Sequence, residues 1–182
     1  MPPGKRNSRR IYTGRIINLD VDDVEFPNGS TGQLEMIRHP GASAVVPFLT
    51  DPAGGNPEIL LIRQYRYAAD GWMYEIPAGR LDHNEAPIDC AARELREETG
   101  YSATRLEPLL SIYTTPGFTD ERIHIFLATG LSEGQTAHEA DEFLSCERMS
   151  LKRGIELIRD GVINDGKTAV GLLLAARLSF SR

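Results

Sequence analysis

With 182 residues, 41% hydrophobic and 25% charged, the chain is about one domain long and carries enough apolar side chains for an ordinary core. A net charge of −6 and a pI near 5.3 argue against a nucleic-acid surface, and the mixed composition excludes fibrous and disordered classes. Cys90 and Cys146 are the only cysteines and form no short-spaced pair, which excludes a thiolate metal knuckle and a disulfide framework and fits a reducing cytoplasm.

The first stretch, "MPPGKRNSRR", is basic and has no apolar segment of signal-peptide length behind it, so residues 1–9 are expected to be a flexible tail. Nowhere do about 18 apolar residues run together, and no membrane partner is expected. Residues 10–40 read as strands, "RIYTGRIINLDVDDVEF" and "QLEMIRH", with "FPNGSTG" as the hairpin turn; "ASAVVPF" follows after "HPG". Past the loop "TDPAGGNP", "EILLIRQYR" (58–66) is an apolar strand ending in cations, and "WMYEIPAG" (72–79) is a second strand closed by Pro77 and Gly79.

Residues 86–99 carry Ile88, Ala91, Ala92 and Leu95 at helical spacing, with Pro87 in the first turn and Gly100 as the stop. "LEPLLSIYTTPGF", "RIHIFLATGL" and "EFLSCERMS" read as three further strands. Two helices close the chain, "LKRGIELIRDG" after Ser150 and "TAVGLLLAARLSF" from Thr168, and both are read as packing elements. Strands, one central helix, more strands and terminal helices do not alternate as a doubly wound sheet would, so a mixed α/β (α+β) sandwich is predicted.

The helix ends in "RELREETGY", which crowds Glu94, Glu97 and Glu98 together at positions three and four apart, beside Arg93. Each like-charge pair of this spacing costs about 0.2–0.5 kcal/mol, and the C-terminal end of the helix dipole disfavours anions as well. Two readings compete: a solvated face balanced by Arg93 and Arg96, or a site for a hard divalent cation, which carboxylate oxygens suit.

The wider stretch "GRLDHNEAPIDCAARELREETGY" runs Gly79, five residues, Glu85, seven residues, Arg93, Glu94, Leu95, one residue, Glu97, Glu98, one residue, Gly100, Tyr101. It resembles the Nudix hydrolase signature, departing from it only at Tyr101, where the pattern prefers an aliphatic. The resemblance implies an α/β/α sandwich with a mixed sheet, residues 10–40 as an N-terminal antiparallel β region and 41–182 as the hydrolase domain. It also implies hydrolysis of a nucleoside diphosphate linked to another moiety, with Mg2+ as the cofactor, or Mn2+ or another divalent cation in its place. On the same ground Glu94, Glu97 and Glu98 match metal-binding glutamates, Glu94 and Glu98 as the first choices for direct ligands. The main-chain carbonyl of Ala78 joins that sphere where Gly79 turns the backbone tightly, and Glu85 and Arg93 brace the loop against the helix.

"YEIPAG", "TPGFTDERIHIFLA", "RQYR" and the tail "DEFLSCERMSLKRGIELIRDGVINDGKT" are similar to the ADP-ribose pyrophosphatase subfamily, some of these stretches being shared with GDP-sugar pyrophosphatases. Arg63 and Arg66 should point to opposite faces of a strand, so one reaches the diphosphate; the resemblance favours Arg66, leaving Arg63 as a substrate contact or a sheet-edge ion pair. Gly117 and Phe118 are candidate lining for the base pocket, with a core role for Phe118 as the alternative, and Trp72 is expected to be structural.

In this subfamily a glutamate on a distant loop serves as the base; "AHEADEF" fits that place, with Glu142 as first choice and Glu139 as second, alongside Glu97 in the catalytic set. The products would be AMP and ribose 5-phosphate, with no organic cofactor. The resemblance further implies a homodimer through residues 10–40. The alternatives are the same chemistry on a sugar nucleotide such as GDP-mannose, and a nucleotide-sensing domain without turnover.

Overall fold

The computed structural model describes residues 3–136 and 143–180, and the chain divides into two compact units. The first holds Met1–Gly41 and Ile112–Arg122, the second Ala42–Ser111 and Ile123–Arg182. Residues 112–122 thus group with the N-terminal strands, an excursion that the sequence reading left in the hydrolase domain.

In the first unit β1 (Gly4–Thr13), β2 (Asn18–Glu25) and β3 (Thr31–Arg38) form an antiparallel meander in that order. The turn between β2 and β3 closes by Phe26 N donating to Ser30 O at 2.8 Å, with Gly29 at φ +81°, a conformation that glycine adopts without strain. β1 begins at Gly4, inside the stretch expected to be a tail, although every one of its residues is exposed. Polar cross-strand pairs hold it: Arg6 Nε to Glu25 at 3.1 Å, Ser8 Oγ to Asp22 at 2.6 Å, and Arg10 to Asp20. On β2 the buried Asp20 and Asp22 both receive Arg38, which also donates to Asp120 at 3.1 Å. Hydrogen bonds from Arg10 lower the Asp20 pKa against the opposing effect of burial; for Asp22 burial is the largest influence and raises it, but Ser8 and Arg38 together bring it down.

Among its described residues the second unit contains two sheets. β4 (Ala42–Pro47) pairs antiparallel with β7 (Ala78–Arg80) and parallel with β9 (Arg122–Glu133), and β8 (Tyr101–Tyr113) flanks β9, giving a mixed sheet of order β7-β4-β9-β8. β5 (Glu58–Arg66) lies between β10 (Leu144–Ser150) and β6 (Gly71–Glu75), antiparallel to both. β5 has the bounds that its apolar run and terminal cations predict. The strand expected over 72–79 is two strands in two sheets. Pro77 lacks an N–H for a ladder, and its carbonyl instead accepts Val45 N at 2.9 Å as the chain passes from β6 to β7.

Helix α1 (Pro87–Thr99) covers one side of this unit, where Ala91 and Leu95 pack with Val45, Leu60, Tyr101, Phe126 and Ala128. On the alternate side of β4, Val46 meets α3 (Gly166–Phe180) at Gly171, which also lies against Ile76 and Ile125. α2 (Leu151–Arg159), capped by Ser150 Oγ accepting from Arg153 N, approaches Ile59 and Leu172 through Gly154. Helices on both sides of β4 give the α/β/α sandwich. No helix of the described residues is long and apolar enough to cross a membrane.

The buried face of α1 differs from the predicted one. Ile88 is 42% exposed and Ala92 is exposed, whereas Cys90, Ala91, Glu94, Leu95, Glu98 and Thr99 are buried. Two glutamates, Glu94 and Glu98, occupy positions that apolar periodicity reserves for hydrophobic residues.

Candidate active site

α1 is flanked by Ala86 at its N-cap, with Pro87 in its first turn, and by Gly100 at its C-cap, at φ +77°, whose N–H donates to Arg96 O at 2.8 Å. This phasing puts Glu94 and Glu98, one turn apart, under β7, with 8% and 2% of their surfaces exposed. Ala78 N donates to Glu98 Oε2 at 2.9 Å. Gly79 is where Glu94 comes closest: a Cβ added there would lie 1.9 Å from Glu94 Oε1. Gly79 is not among the residues with positive φ, so it serves as room for a carboxylate and not as the tight turn expected from the sequence.

Arg93 ties the preceding loop to the helix. Its Nε donates to Glu85 Oε1 at 2.8 Å and its Nη2 to Glu85 Oε2 at 2.9 Å and to Arg80 O at 3.0 Å. Its Nη1 reaches Glu94 Oε1 at 2.6 Å and Glu97 Oε2 at 3.2 Å. Glu85 also accepts Asp82 N at 2.9 Å. The bracing role expected of Glu85 and Arg93 therefore has a definite geometry, and through Nη1 the same arginine positions Glu94.

Hydrogen bonds from Arg93 hold the Glu85 pKa down at about 2. A depressed carboxylate contributes stability that is fully present above its unfolded pKa, about 4.3, and is lost as pH falls through its folded value. Glu85→Gln is accordingly expected to lower thermal stability at pH 7 by about 1.5–3 kcal/mol, the worth of a charge-assisted hydrogen bond. The deficit should shrink toward pH 2, and melts of the two proteins at pH 7, 4 and 2 provide the check.

Glu97 is the most exposed of the three glutamates, its side chain retaining 31% of its surface beside Arg93 and Arg96. The balanced, solvated face is thus a fair description of Glu97 alone. Among the described residues no three His, Cys, Asp or Glu side chains already stand as a metal-binding group, and Arg93 Nη1 donates to both Glu94 and Glu97. The donor chemistry of the buried pair nevertheless suits a hard divalent cation: two carboxylates withdrawn from water on one helix face, against a backbone that only glycine lets so close. Glu94, Glu98 and the Ala78 carbonyl are the residues that could hold it.

A second ionic cluster lies next to the first along the chain. Arg66 donates from Nε to Glu75 Oε1 at 2.7 Å and from Nη2 to Glu75 Oε2 at 2.9 Å. Glu75 is 2% exposed and is also bound by Lys167, which reaches Asp165 at 3.0 Å. Burial is the largest influence on Glu75 and pushes its pKa up, but Arg66 and Lys167 outweigh it and leave it lowered. Arg66 is raised, first by its hydrogen bonds to Glu75, with the Glu98 charge among the further contributors. Glu75, Asp165 and Lys167 were not singled out from the sequence. An acid inside the apolar strand "WMYEI", and "DGKT" at the start of the last helix, were the available signals.

Arg63 points away from this cluster, over the Trp72 ring at 5.7 Å, and Trp72 packs edge-on to Tyr65 while remaining 52% exposed. β5 is a central strand, so the sheet-edge ion pair expected for Arg63 is replaced by a cation–π contact. Gly117 and Phe118 fall in the first unit, in the turn after β8; Phe118 is 51% exposed, which rules out the core alternative for it. Glu139 and Glu142 lie outside the described residues.

The family model of the NUDIX domain matches residues 39–168. The chain belongs to the NUDIX family. This Nudix hydrolase is 40% identical to the methanol dehydrogenase activator of Bacillus methanolicus over 167 residues, 91% of this chain and 88% of that protein. It is 39% identical to the ADP-ribose pyrophosphatase of Bacillus subtilis over 165 residues, 90% of this chain and 86% of that one. A GDP-mannose pyrophosphatase of Yersinia enterocolitica is 32% identical over 88% of this chain and 87% of its own. Among solved structures, one described as an ADP compounds hydrolase superposes with a TM-score of 0.81 at 24% identity, covering 98% of this chain and 94% of the other, a likeness of fold.

Proposed function

We propose that this Nudix hydrolase cleaves the diphosphate of ADP-ribose to AMP and ribose 5-phosphate with the help of Mg2+ or another divalent cation. The observation that carries the reading is the buried pair Glu94 and Glu98 beneath Ala78 and Gly79, with Arg66 held beside them by Glu75. When bound, the cation supplies charge neutralisation on the phosphate oxygens and a more acidic water. Glu94, Glu98 and the Ala78 carbonyl would hold it, with Glu97, the more exposed acid, completing the set.

Arg66 binds the diphosphate. Two of its nitrogens engage Glu75, and its Nη1 has no hydrogen-bond partner among the described residues, so one edge of a half-exposed guanidinium is open to an anion. Arg93 and Glu85 keep the Glu94 carboxylate aimed while substrate enters. Glu142, with Glu139 as the second choice, accepts the proton from the attacking water, a role resting on the resemblance of "AHEADEF" to the subfamily. The relative from Bacillus subtilis supports ADP-ribose; the one from Yersinia favours a second reading, GDP-mannose or a related sugar nucleotide.

A homodimer formed through residues 10–40 belongs to the same reading. No hydrophobic side chain of residues 3–40 is buried, and Ile11, Tyr12, Ile16, Ile17 and Leu34 are exposed. A three-stranded sheet needs an apolar face to cover, and a second copy would supply it. Cys90 and Cys146 are free thiols, in keeping with a reducing cytoplasm.

The test is hydrolysis of a panel containing ADP-ribose, GDP-mannose, NADH, diadenosine polyphosphates and 8-oxo-dGTP in Mg2+, with and without EDTA. Metal-dependent release of AMP from ADP-ribose at the highest kcat/KM is expected. Preference for GDP-mannose would transfer the assignment to the second reading, and no turnover with retained nucleotide binding would make the chain a sensor.

A further inference from the structure

α3 begins at Gly166, two residues before the Thr168 start expected from the sequence, and its first turn reaches the strand that leads into the glutamate site. Asp165 Oδ2 accepts from Thr168 N at 3.0 Å and from Thr168 Oγ1 at 2.6 Å, and it also receives Lys167 Nζ at 3.0 Å. Thr168, fully buried, accepts Ile76 N at 2.8 Å, and Lys167 binds Glu75. Consecutive residues of one turn thus grip consecutive residues of β6 and its exit. Two positions further on, Ala78 N holds Glu98.

Glu75 is the hinge of this arrangement. Its Oε1 takes Arg66 Nε, and its Oε2 is shared between Arg66 Nη2 and Lys167 Nζ. The terminal torsion of a glutamate is broad and weakly restrained by itself. A carboxylate bound by one bidentate arginine can rotate together with that arginine; a second cation on Oε2, itself anchored on a helix cap, fixes the carboxylate plane and therefore the guanidinium plane. A buried carboxylate also requires cationic partners, and without Lys167 the whole requirement would fall on Arg66, drawing it inward. Lys167 is only 11% exposed at its side chain, whereas Arg66 keeps 42%. The lysine sits behind the arginine, and the arginine faces outward.

We propose that Lys167 is a positioning residue that acts through Glu75 to hold Arg66 with its open Nη1 edge toward the substrate diphosphate. This rests on the reading of Arg66 as the diphosphate ligand. Lys167 itself touches no phosphate in this scheme, which separates it from an ordinary anion-binding lysine.

The test uses the full chain with Lys167→Met, Lys167→Arg, Arg66→Ala and the double variant Lys167→Met/Arg66→Ala, each confirmed as folded by circular dichroism. Glu75→Gln serves as a second route if Lys167→Met does not fold, and is expected to behave alike. Binding of inorganic pyrophosphate in EDTA is measured by calorimetry, and kcat and KM for ADP-ribose are measured in Mg2+. Lys167→Met is expected to weaken pyrophosphate binding and raise KM by about 10- to 100-fold, with kcat changed by about twofold or less, the signature of a misplaced binding group. Lys167→Arg should recover most of the loss, and in the Arg66→Ala background the lysine substitution should have no further effect.

An equal loss in that background would show that Lys167 meets the anion directly and would overturn the proposal, as would unchanged pyrophosphate binding in folded Lys167→Met. Failure of the wild-type chain to cleave ADP-ribose would overturn the assigned substrate, while the pyrophosphate arm still decides the role of Lys167. A wild-type chain that binds no pyrophosphate would overturn the role as well.

Discussion

Glu98→Gln is expected to lower kcat for diphosphate hydrolysis by about a hundred- to a thousandfold, because the charge stabilisation that a divalent cation supplies is several kcal/mol and about 1.4 kcal/mol is a factor of ten. The same substitution should leave the fold intact. Glu98 is 2% exposed, and an amide of the same shape can keep the hydrogen bond from Ala78 N through its carbonyl while removing a charge from a buried position. Thermal stability equal to or above that of the wild type is therefore the expected companion of the lost activity. A coupled assay for AMP and a thermal melt on one preparation check both halves. An inactive protein that has also unfolded would make Glu98 a structural residue, and an active one would remove it from the site.

Gly79→Ala should show the second large effect, again with activity and stability moving apart. The added methyl would stand 1.9 Å from Glu94 Oε1 and 2.1 Å from Glu94 Cδ, closer than any real contact. Backbone strain does not enter, since the residue has no positive φ. What must give is the Glu94 carboxylate, the end of a flexible side chain, and it can move only by breaking its 2.6 Å contact with Arg93 and leaving its place under β7. Overpacking of this kind costs about 1–3 kcal/mol, whereas a displacement of about 1 Å in a reacting constellation can cost about a hundredfold in rate. The expected result is a folded, less stable protein with kcat/KM reduced by about that factor; Gly79→Ala with normal kinetics would mean that Glu94 has no part in the chemistry.

Much of this architecture is legible in the amino-acid sequence. The apolar run ending in two arginines gave β5 residue for residue, because an uninterrupted aliphatic strand in the middle of a sheet leaves a clear local signal. Pro87 and Gly100 bracketed α1 for reasons of backbone geometry. The charged signature itself was unmistakable as a local pattern, because its spacing places the acids on one helix side.

Other features failed the same logic for identifiable reasons. The buried face of α1 departs from the apolar periodicity because Glu94 and Glu98 are buried while Ile88 is exposed, so hydrophobic spacing alone misorients the helix. β1 was missed over its first residues because it buries nothing and is held by ion pairs to β2, an arrangement without apolar alternation. The run from Trp72 to Gly79 looked continuous, and only the two sheets show why Pro77 divides it. The link from Lys167 to Glu75 joins residues 92 positions apart, a separation over which no local pattern reports. At Gly79 the local sequence points to a tight turn, whereas the residue has no positive φ and what it accommodates is the Glu94 carboxylate opposite it.

The proposed hydrolysis requires that the buried pair Glu94 and Glu98 hold a divalent cation. The most direct measurement is a titration of Mn2+ into the metal-free chain, followed by the loss of the free-ion electron paramagnetic resonance signal, for the wild type and for folded Glu94→Gln/Glu98→Gln. Saturable binding by the wild type that disappears in the double variant is the result expected. Equal binding by both proteins, or none by either, would contradict the assignment of these residues as the metal site.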